Sequence, residues 1–241
     1  MSGDLAGLLV EVDAILLDFD GPVCSIFAGY PAHDVAAELV ELLRHHDVDL
    51  PPGLAGEADP LEVLRWTGST GNYDVTRAVE EALCTAERRA VGTAAPTPYG
   101  RETIVAARQA GLPVAVVSNN SAGAVTAYLT LHRLEGHVAH VIGRAFAEPA
   151  RMKPNPEPIL HAVRALEVSP SRCVLVGDSM SDIEGARAAG TQVLAFANRP
   201  EKVDRFSKAE PDALITSMGS IAEELIRRCE EPDEESLGRI G

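Results

Sequence analysis

Ala14-Ile15-Leu16-Leu17-Asp18-Phe19-Asp20-Gly21 is a run of four apolar residues that stops abruptly at two carboxylates and a glycine. The apolar residues do not alternate with polar ones. That is the pattern of a parallel strand buried on both faces. The same shape recurs downstream. Val114-Ala115-Val116-Val117 stops at Ser118, and Cys173-Val174-Leu175-Val176 stops at Gly177-Asp178. Residues 193–196 stop near Asn198, and 140–142 and 213–215 are weaker members of the set. Helical spacing fills the intervals at 101–110, 122–131, 156–166 and 182–189. Asn155 is a candidate N-cap with Pro156 at the first helical position, and Gly190 is placed to close the last of these helices. Strand and helix alternate, so the chain is expected to be an α/β protein built on a doubly wound parallel sheet.

One interval breaks the rhythm. The strand after Asp18 does not come until Val114, far more chain than one crossover helix needs. Residues 34–44, 60–66 and 74–90 carry apolar residues at helical spacing, and Ala94-Ala95-Pro96-Thr97-Pro98 reads as a hinge. The expected organisation is a core of residues 1–23 and 96–229 with a helical cap of residues 24–95 inserted after the first strand. The alternative is that these helices form an extra layer on the sheet. The last stretch, 230–241, is acidic and nearly free of apolar residues, and it reads as a disordered tail.

Bulk properties narrow the function. The 241 residues are 46% hydrophobic and 24% charged, enough for an ordinary core without disulfides. No uninterrupted apolar run reaches the roughly 18–20 residues of a membrane-spanning helix, and the first residues lack the basic start of a secretory signal. The four cysteines, Cys24, Cys84, Cys173 and Cys229, form no CxxC pair and suit reduced thiols in a cytoplasmic protein. A formal charge of -15 argues against nucleic acid as a partner. It also means that binding an anionic substrate needs local positive charge, which a metal cation would supply.

Ligands of doubly wound sheets bind beyond the carboxyl ends of the strands. Three expected strands end there in Asp18, Ser118 and Asp178. Asp18 and Asp20, at i and i+2, leave an extended segment on one side, so one can attack phosphorus while the other moves a proton. Ser118-Asn119-Asn120 offers a hydroxyl and amides to a phosphate just before a helix. Lys153, ahead of Pro154-Asn155-Pro156, offers an ammonium to an attacking carboxylate and a phosphoryl oxygen. Asp178 can meet Asp18 and Asp20 across the sheet, where three acids repel unless a cation sits among them. An all-oxygen set selects a hard ion, and Mg2+ fits a phosphate site. Asp182 lies at the next helix start. Each piece alone also has a plain structural reading, as solvated strand ends, a helix cap or a surface lysine.

Taken in order, DFDGPV, SNN, KPNPEP and GDSMSD resemble the haloacid dehalogenase-like hydrolase superfamily, over essentially all of residues 13–196. The inserted helices look like the C1-type cap of its phosphoglycolate phosphatase-like members on a Rossmann-like core. The resemblance implies a magnesium-dependent phosphatase acting on a small phosphorylated metabolite through an aspartyl-phosphate. Asp18 would be nucleophile and metal ligand, and Asp20 general acid and base, reaching the metal through its backbone carbonyl. Ser118 and Asn119 would hold the phosphoryl oxygens and Lys153 would steady both Asp18 and the phosphate. Asp178 would complete the metal site with Asp182 in support. One position departs from the family: Pro22 stands where Thr or Val is usual, removing a hydroxyl and a backbone N–H.

Four other readings are weighed against this one. A dehalogenase also has an Asp nucleophile, but a halide leaving group needs no proton from Asp20. A phosphomutase needs cap residues that shuttle its substrate, and none is visible. A phospho-accepting signalling domain would carry its acceptor on a later strand, without the long insertion, and the complete acid–lysine set speaks against a binding protein on a decayed enzyme fold. The histidines at 45, 46, 132, 137 and 140 lack metal spacing, and Trp66 suits either the cap's substrate side or its core. Neither the substrate nor a choice between monomer and homodimer is written in the sequence.

Overall fold

The structure, a computed structural model, describes residues 4–46 and 48–230. In chain order its elements are α1 (Leu5–Glu11), β1 (Ala14–Leu17), β2 (Cys24–Ser25), α2 (Ala32–His45), α3 (Pro60–Ser69), α4 (Tyr73–Ala90), β3 (Ala95–Pro96), α5 (Gly100–Gln109), β4 (Val114–Val117), α6 (Ala122–Leu131), β5 (His140–Ile142), α7 (Glu157–Ala165), β6 (Cys173–Gly177), α8 (Met180–Ala189), β7 (Gln192–Phe196), α9 (Pro200–Lys208), β8 (Ala213–Ile215) and α10 (Gly219–Glu230). Six strands form one sheet in the order β5-β4-β1-β6-β7-β8. Every pairing in it is parallel.

The apolar runs are explained by burial on both faces. Ile15 and Leu17 point into one core layer with Leu9 of α1, Ile104 of α5, Tyr128 of α6 and Leu225 of α10. Ala14 and Leu16 point into the other with Ile159 of α7, Ile183 of α8 and Phe206 of α9. A strand covered on both sides has no polar face, so its sequence does not alternate. The chain leaves β1 toward β4 on one side and reaches β6 on the other. The C-terminal end of β1 is therefore the switch point at which such sheets open a crevice.

Between β2 and β3, helices α2, α3 and α4 bury a third apolar cluster of their own, including Leu39, Leu43, Val63, Leu64, Val79 and Leu83. The two ends of this segment pair as antiparallel strands, Cys24 opposite Pro96 and Ser25 opposite Ala95. Trp66 is half-buried and packs on that cluster.

Several boundaries move by one or two residues. The helix expected from Pro156 begins at Glu157, with Pro156 as its cap residue, and Asn155 Oδ1 still accepts from Glu157 N at 2.9 Å. The helix expected from Asp182 begins at Met180, because Ser179 and Asp182 close a capping box. Gly190 ends it in the left-handed region, φ 73°. The turn holding Pro22 is closed around it: Gly21 N donates to Cys24 O, and Val23 N and Cys24 N both donate to Phe19 O. Glu230, where the acidic tail was expected to start, is the last residue of α10, and residues 231–241 lie outside the described residues. No helix among the described residues is long and apolar enough to cross a membrane.

Candidate active site

Asp18 follows β1 directly, and its N–H continues the ladder to Val176 O at 2.9 Å. Its side chain is buried at the crevice. Oδ1 accepts from Phe19 N at 2.7 Å and from Lys153 Nζ at 2.8 Å. Lys153 arrives from the loop before α7 and is 1% exposed, an uncommon place for a lysine. Its ammonium also donates to Val117 O at 2.7 Å and pairs with Asp182 Oδ1 at 2.7 Å. Asn119 pins the lysine's backbone, accepting from Lys153 N at 2.8 Å and donating to Lys153 O at 3.1 Å. Burial opposes the charge on Lys153, but the facing carboxylates of Asp18 and Asp182 outweigh it and raise its pKa.

Asp18, Asp178 and Asp182 each bring a carboxylate oxygen within 4.8 Å of the others. Burial, and then the charges of Asp182 and Asp178, push the Asp18 carboxyl well above the ordinary range, against the pull of Lys153. Burial likewise raises Asp20 to about 6; the hydrogen bond from Ile26 N, at 2.9 Å, opposes the rise and the Asp178 charge adds to it. A carboxyl that titrates near 6 can give and take a proton close to neutrality.

Two glycines make this crowding possible. Gly21 has φ 122°, and a Cβ on it would stand 2.3 Å from Asp178 Cγ. A Cβ on Gly177 would stand 2.3 Å from Asp182 Cβ. Gly21→Ala is therefore expected to cost about 2 kcal/mol or more, from the left-handed backbone and the displaced carboxylate together. Urea denaturation measures it, and a loss below about 0.5 kcal/mol would contradict the packing.

The expected residues converge. Asp18, Asp20, Ser118, Asn119, Lys153, Asp178 and Asp182 line one cavity of about 590 Å³. Ser118 is 1% exposed; its Oγ donates to Asn120 Oδ1 and accepts from Asn120 N, at 3.1 and 3.0 Å. No described residue accepts from the Asn119 N–H. The carboxylate cluster contains Asp182, which was expected only in support, and not the side chain of Asp20. Asp182 serves twice, since its Oδ2 also accepts from Ser179 N and Oγ at 3.1 and 2.6 Å.

Three residues in or beside the cavity escaped the sequence reading. Lys202 Nζ donates to Asp178 O and Oδ2 at 2.7 and 2.6 Å, and Asn198 Nδ2 donates to the same Oδ2 at 2.8 Å. Asn198 follows β7, the neighbour of β6, so the end of that strand was a usable signal. Arg65 of α3 faces the cavity from the inserted segment and donates to Lys153 O at 2.7 Å. Nothing in its helical spacing marks it out.

A family model described as haloacid dehalogenase-like hydrolase matches residues 12–190. Among curated relatives, the pyrophosphatase PpaX of Halalkalibacterium halodurans is 27% identical over 217 residues, 87% of this chain and 94% of that one. The phosphoglycolate phosphatase of Escherichia coli K12 is 26% identical over 124 residues, 52% of this chain and 48% of that one. Among solved structures, a haloacid dehalogenase-like family hydrolase from Streptococcus pneumoniae superposes with a TM-score of 0.63 at 14% identity, over 89% of this chain and 98% of that one.

Proposed function

The chain belongs to the haloacid dehalogenase-like hydrolases, and from that membership and the site geometry we propose that it is a Mg2+-dependent phosphatase of small phosphorylated molecules, working through an aspartyl-phosphate on Asp18. The observation that carries the reading is the buried Lys153 ammonium seated between Asp18 and Asp182, with the Asp178 carboxylate completing the cluster.

The donor set suits a hard cation. Three carboxylates crowd within 4.8 Å and meet two ammonium groups, Lys153 between Asp18 and Asp182 and Lys202 on Asp178, so the acids still outnumber the fixed cations. Asp18, Asp178 and Asp182 would hold the ion, with Asp20 contributing through its carbonyl. A bound Mg2+ supplies positive charge against the phosphoryl oxygens. The Ser118 hydroxyl turns its one proton from Asn120 Oδ1 to a phosphoryl oxygen, the Asn119 N–H donates to the same group, and Lys153 keeps Asp18 aimed at phosphorus. Asp18 Oδ attacks, the P–O bond to the leaving group breaks, and Asp20 donates its proton to the leaving oxygen. Asp20 then takes a proton from water, which attacks phosphorus and frees Asp18 and phosphate. Residues 24–95 act as a cap that covers the crevice and reads the leaving group, with Arg65 as its cationic contact. Pyrophosphate and phosphoglycolate, named by the relatives, are the first substrates to assay.

Turnover is expected with Mg2+ and none with EDTA. Equal rates in the two conditions remove the metal from the proposal, and no hydrolysis of any phosphomonoester or pyrophosphate with Mg2+ removes the function. Metal binding also leaves a mark on stability. Asp18 and Asp20 have folded pKa values above their unfolded 3.8, so the folded state holds more protons than the unfolded one. The stability of the metal-free protein therefore falls as pH rises from near 4 to about 8, as Asp20 ionises around 6 and Asp18 around 8. Mg2+ needs these groups ionised, so its stabilisation grows over the same window. The increase in Tm on adding Mg2+ is expected to be larger at about pH 7.5 than at about pH 5; an equal or reversed difference contradicts the site.

A further inference from the structure

Among the described residues, three more charged side chains are buried apart from the Asp18 cluster, and the proposed reaction uses none of them. Glu80 and Glu87 lie on α4, in the inserted segment, and Arg144 follows β5 in the core; all three side chains are 0–1% exposed. Arg144 Nε donates to both Glu80 oxygens at 3.0 Å and Nη2 to Glu80 Oε1 at 2.7 Å. Arg144 Nη1 donates to Glu87 Oε1 at 2.8 Å. A buried triad of this kind costs desolvation, and docking a helix does not require it, since apolar contacts do that as well.

What the triad touches next is informative. Arg144 Nη1 also donates to Asn119 O at 2.6 Å, and Arg144 N donates to Asn120 O at 2.9 Å. Glu87 Oε2 accepts from Ser121 N at 2.8 Å, and Oε1 accepts from Asn120 Nδ2 at 3.2 Å. Four bonds thus land on the three residues that follow Ser118. A carboxylate only accepts, so Glu87 fixes which way the Asn120 amide faces. With Nδ2 turned to Glu87, Oδ1 is turned to the Ser118 hydroxyl, which donates to it at 3.1 Å. Glu80 reaches the same loop only through Arg144.

We propose that Glu87 and Arg144 are positioning residues for the phosphate-binding loop, holding residues 118–121 in the shape that receives a phosphoryl group. The hold comes from a helix of the inserted segment, so this segment organises the chemistry of the core as well as covering it. The inference rests on the reading of Ser118 and Asn119 as phosphate ligands.

The test compares the parent with Glu87→Gln and Arg144→Lys, which keep size and one of charge or shape. The substrate is whichever of p-nitrophenyl phosphate, pyrophosphate and phosphoglycolate the parent hydrolyses, and inorganic phosphate is the competing ligand. Each variant is expected to raise the inhibition constant of phosphate about tenfold. It lowers kcat/KM at least as much and leaves the Mg2+ half-saturation within about twofold. Folded variants whose phosphate inhibition and kcat/KM stay within about twofold of the parent would overturn the proposal. So would losses in phosphate and Mg2+ affinity of equal size, since a general loosening of the fold gives that pattern. If these variants do not fold, Asn120→Ala takes their place. It removes the link from Glu87 to Ser118 without unpairing Arg144, and it carries the same expectation and the same refutation. A parent with neither turnover nor phosphate inhibition sinks the reading of the site instead, so the two failures are told apart.

Discussion

Asp18→Asn is expected to lower turnover by about 10⁴-fold or more, because an amide oxygen cannot form the acyl phosphate that the proposed route needs. The loss will not come from unfolding. The Asp18 carboxyl is raised by burial and by the charges of Asp182 and Asp178, so removing its charge relieves repulsion in the metal-free protein. Asparagine keeps the shape and an acceptor for Phe19 N and Lys153 Nζ. Lys153 keeps Asp182 Oδ1 and Val117 O as partners. The metal-free variant should therefore melt at the parent's temperature or above it. Activity within about tenfold of the parent would remove Asp18 as nucleophile, and a large fall in Tm would contradict the electrostatic description of the cluster.

Lys153→Met carries the largest expected effect on stability. Methionine is close in length, so packing changes little. The variant leaves Asp18 and Asp182 facing each other, buried, with no cation between them. Breaking a buried pair from one side costs about 3–5 kcal/mol. At roughly 2–4 °C per kcal/mol for a chain of this size, Tm should drop by about 10 °C. Activity is expected to be lost as well, since in the proposed site the ammonium both aims Asp18 and faces the phosphoryl oxygens. Adding Asp18→Asn to Lys153→Met should recover part of the lost stability, because it replaces a buried carboxyl that has lost its cation with a neutral amide of the same shape. A Tm within about 2 °C of the parent for the single variant, or no recovery in the double one, contradicts the pairing.

The strands were legible because a parallel strand covered on both faces must be apolar throughout. Residues 14–17 are accordingly 0% exposed. The points where those runs stop located Asp18, Ser118 and Asp178, since such sheets bind ligands at the strand ends. The helices were legible to within a residue or two where proline, glycine or a capping side chain marked an end. Other features had no local signal. Helix α1 has seven residues, too short for a period to show. Lys202 and Arg65 are ordinary helical cations until the fold brings them to Asp178 and to Lys153 O. Arg144 lies 57 and 64 positions from its carboxylate partners. Pairing over such distances depends on where the inserted helices dock, which no window of sequence contains. The double duty of Asp182, capping α8 and pairing with Lys153, also needed the third dimension.

Rapid acid quench of the Mg2+-loaded parent during turnover, followed by borohydride reduction and peptide mass spectrometry, tests the covalent step most directly. An acyl phosphate at position 18 is reduced to homoserine, so homoserine is expected at that position and nowhere else. With p-nitrophenyl phosphate, whose leaving group needs no proton, Asp20→Asn should raise the homoserine yield by slowing release of the phosphate. Turnover without homoserine at position 18 in either protein, or homoserine at another carboxylate, would contradict the account.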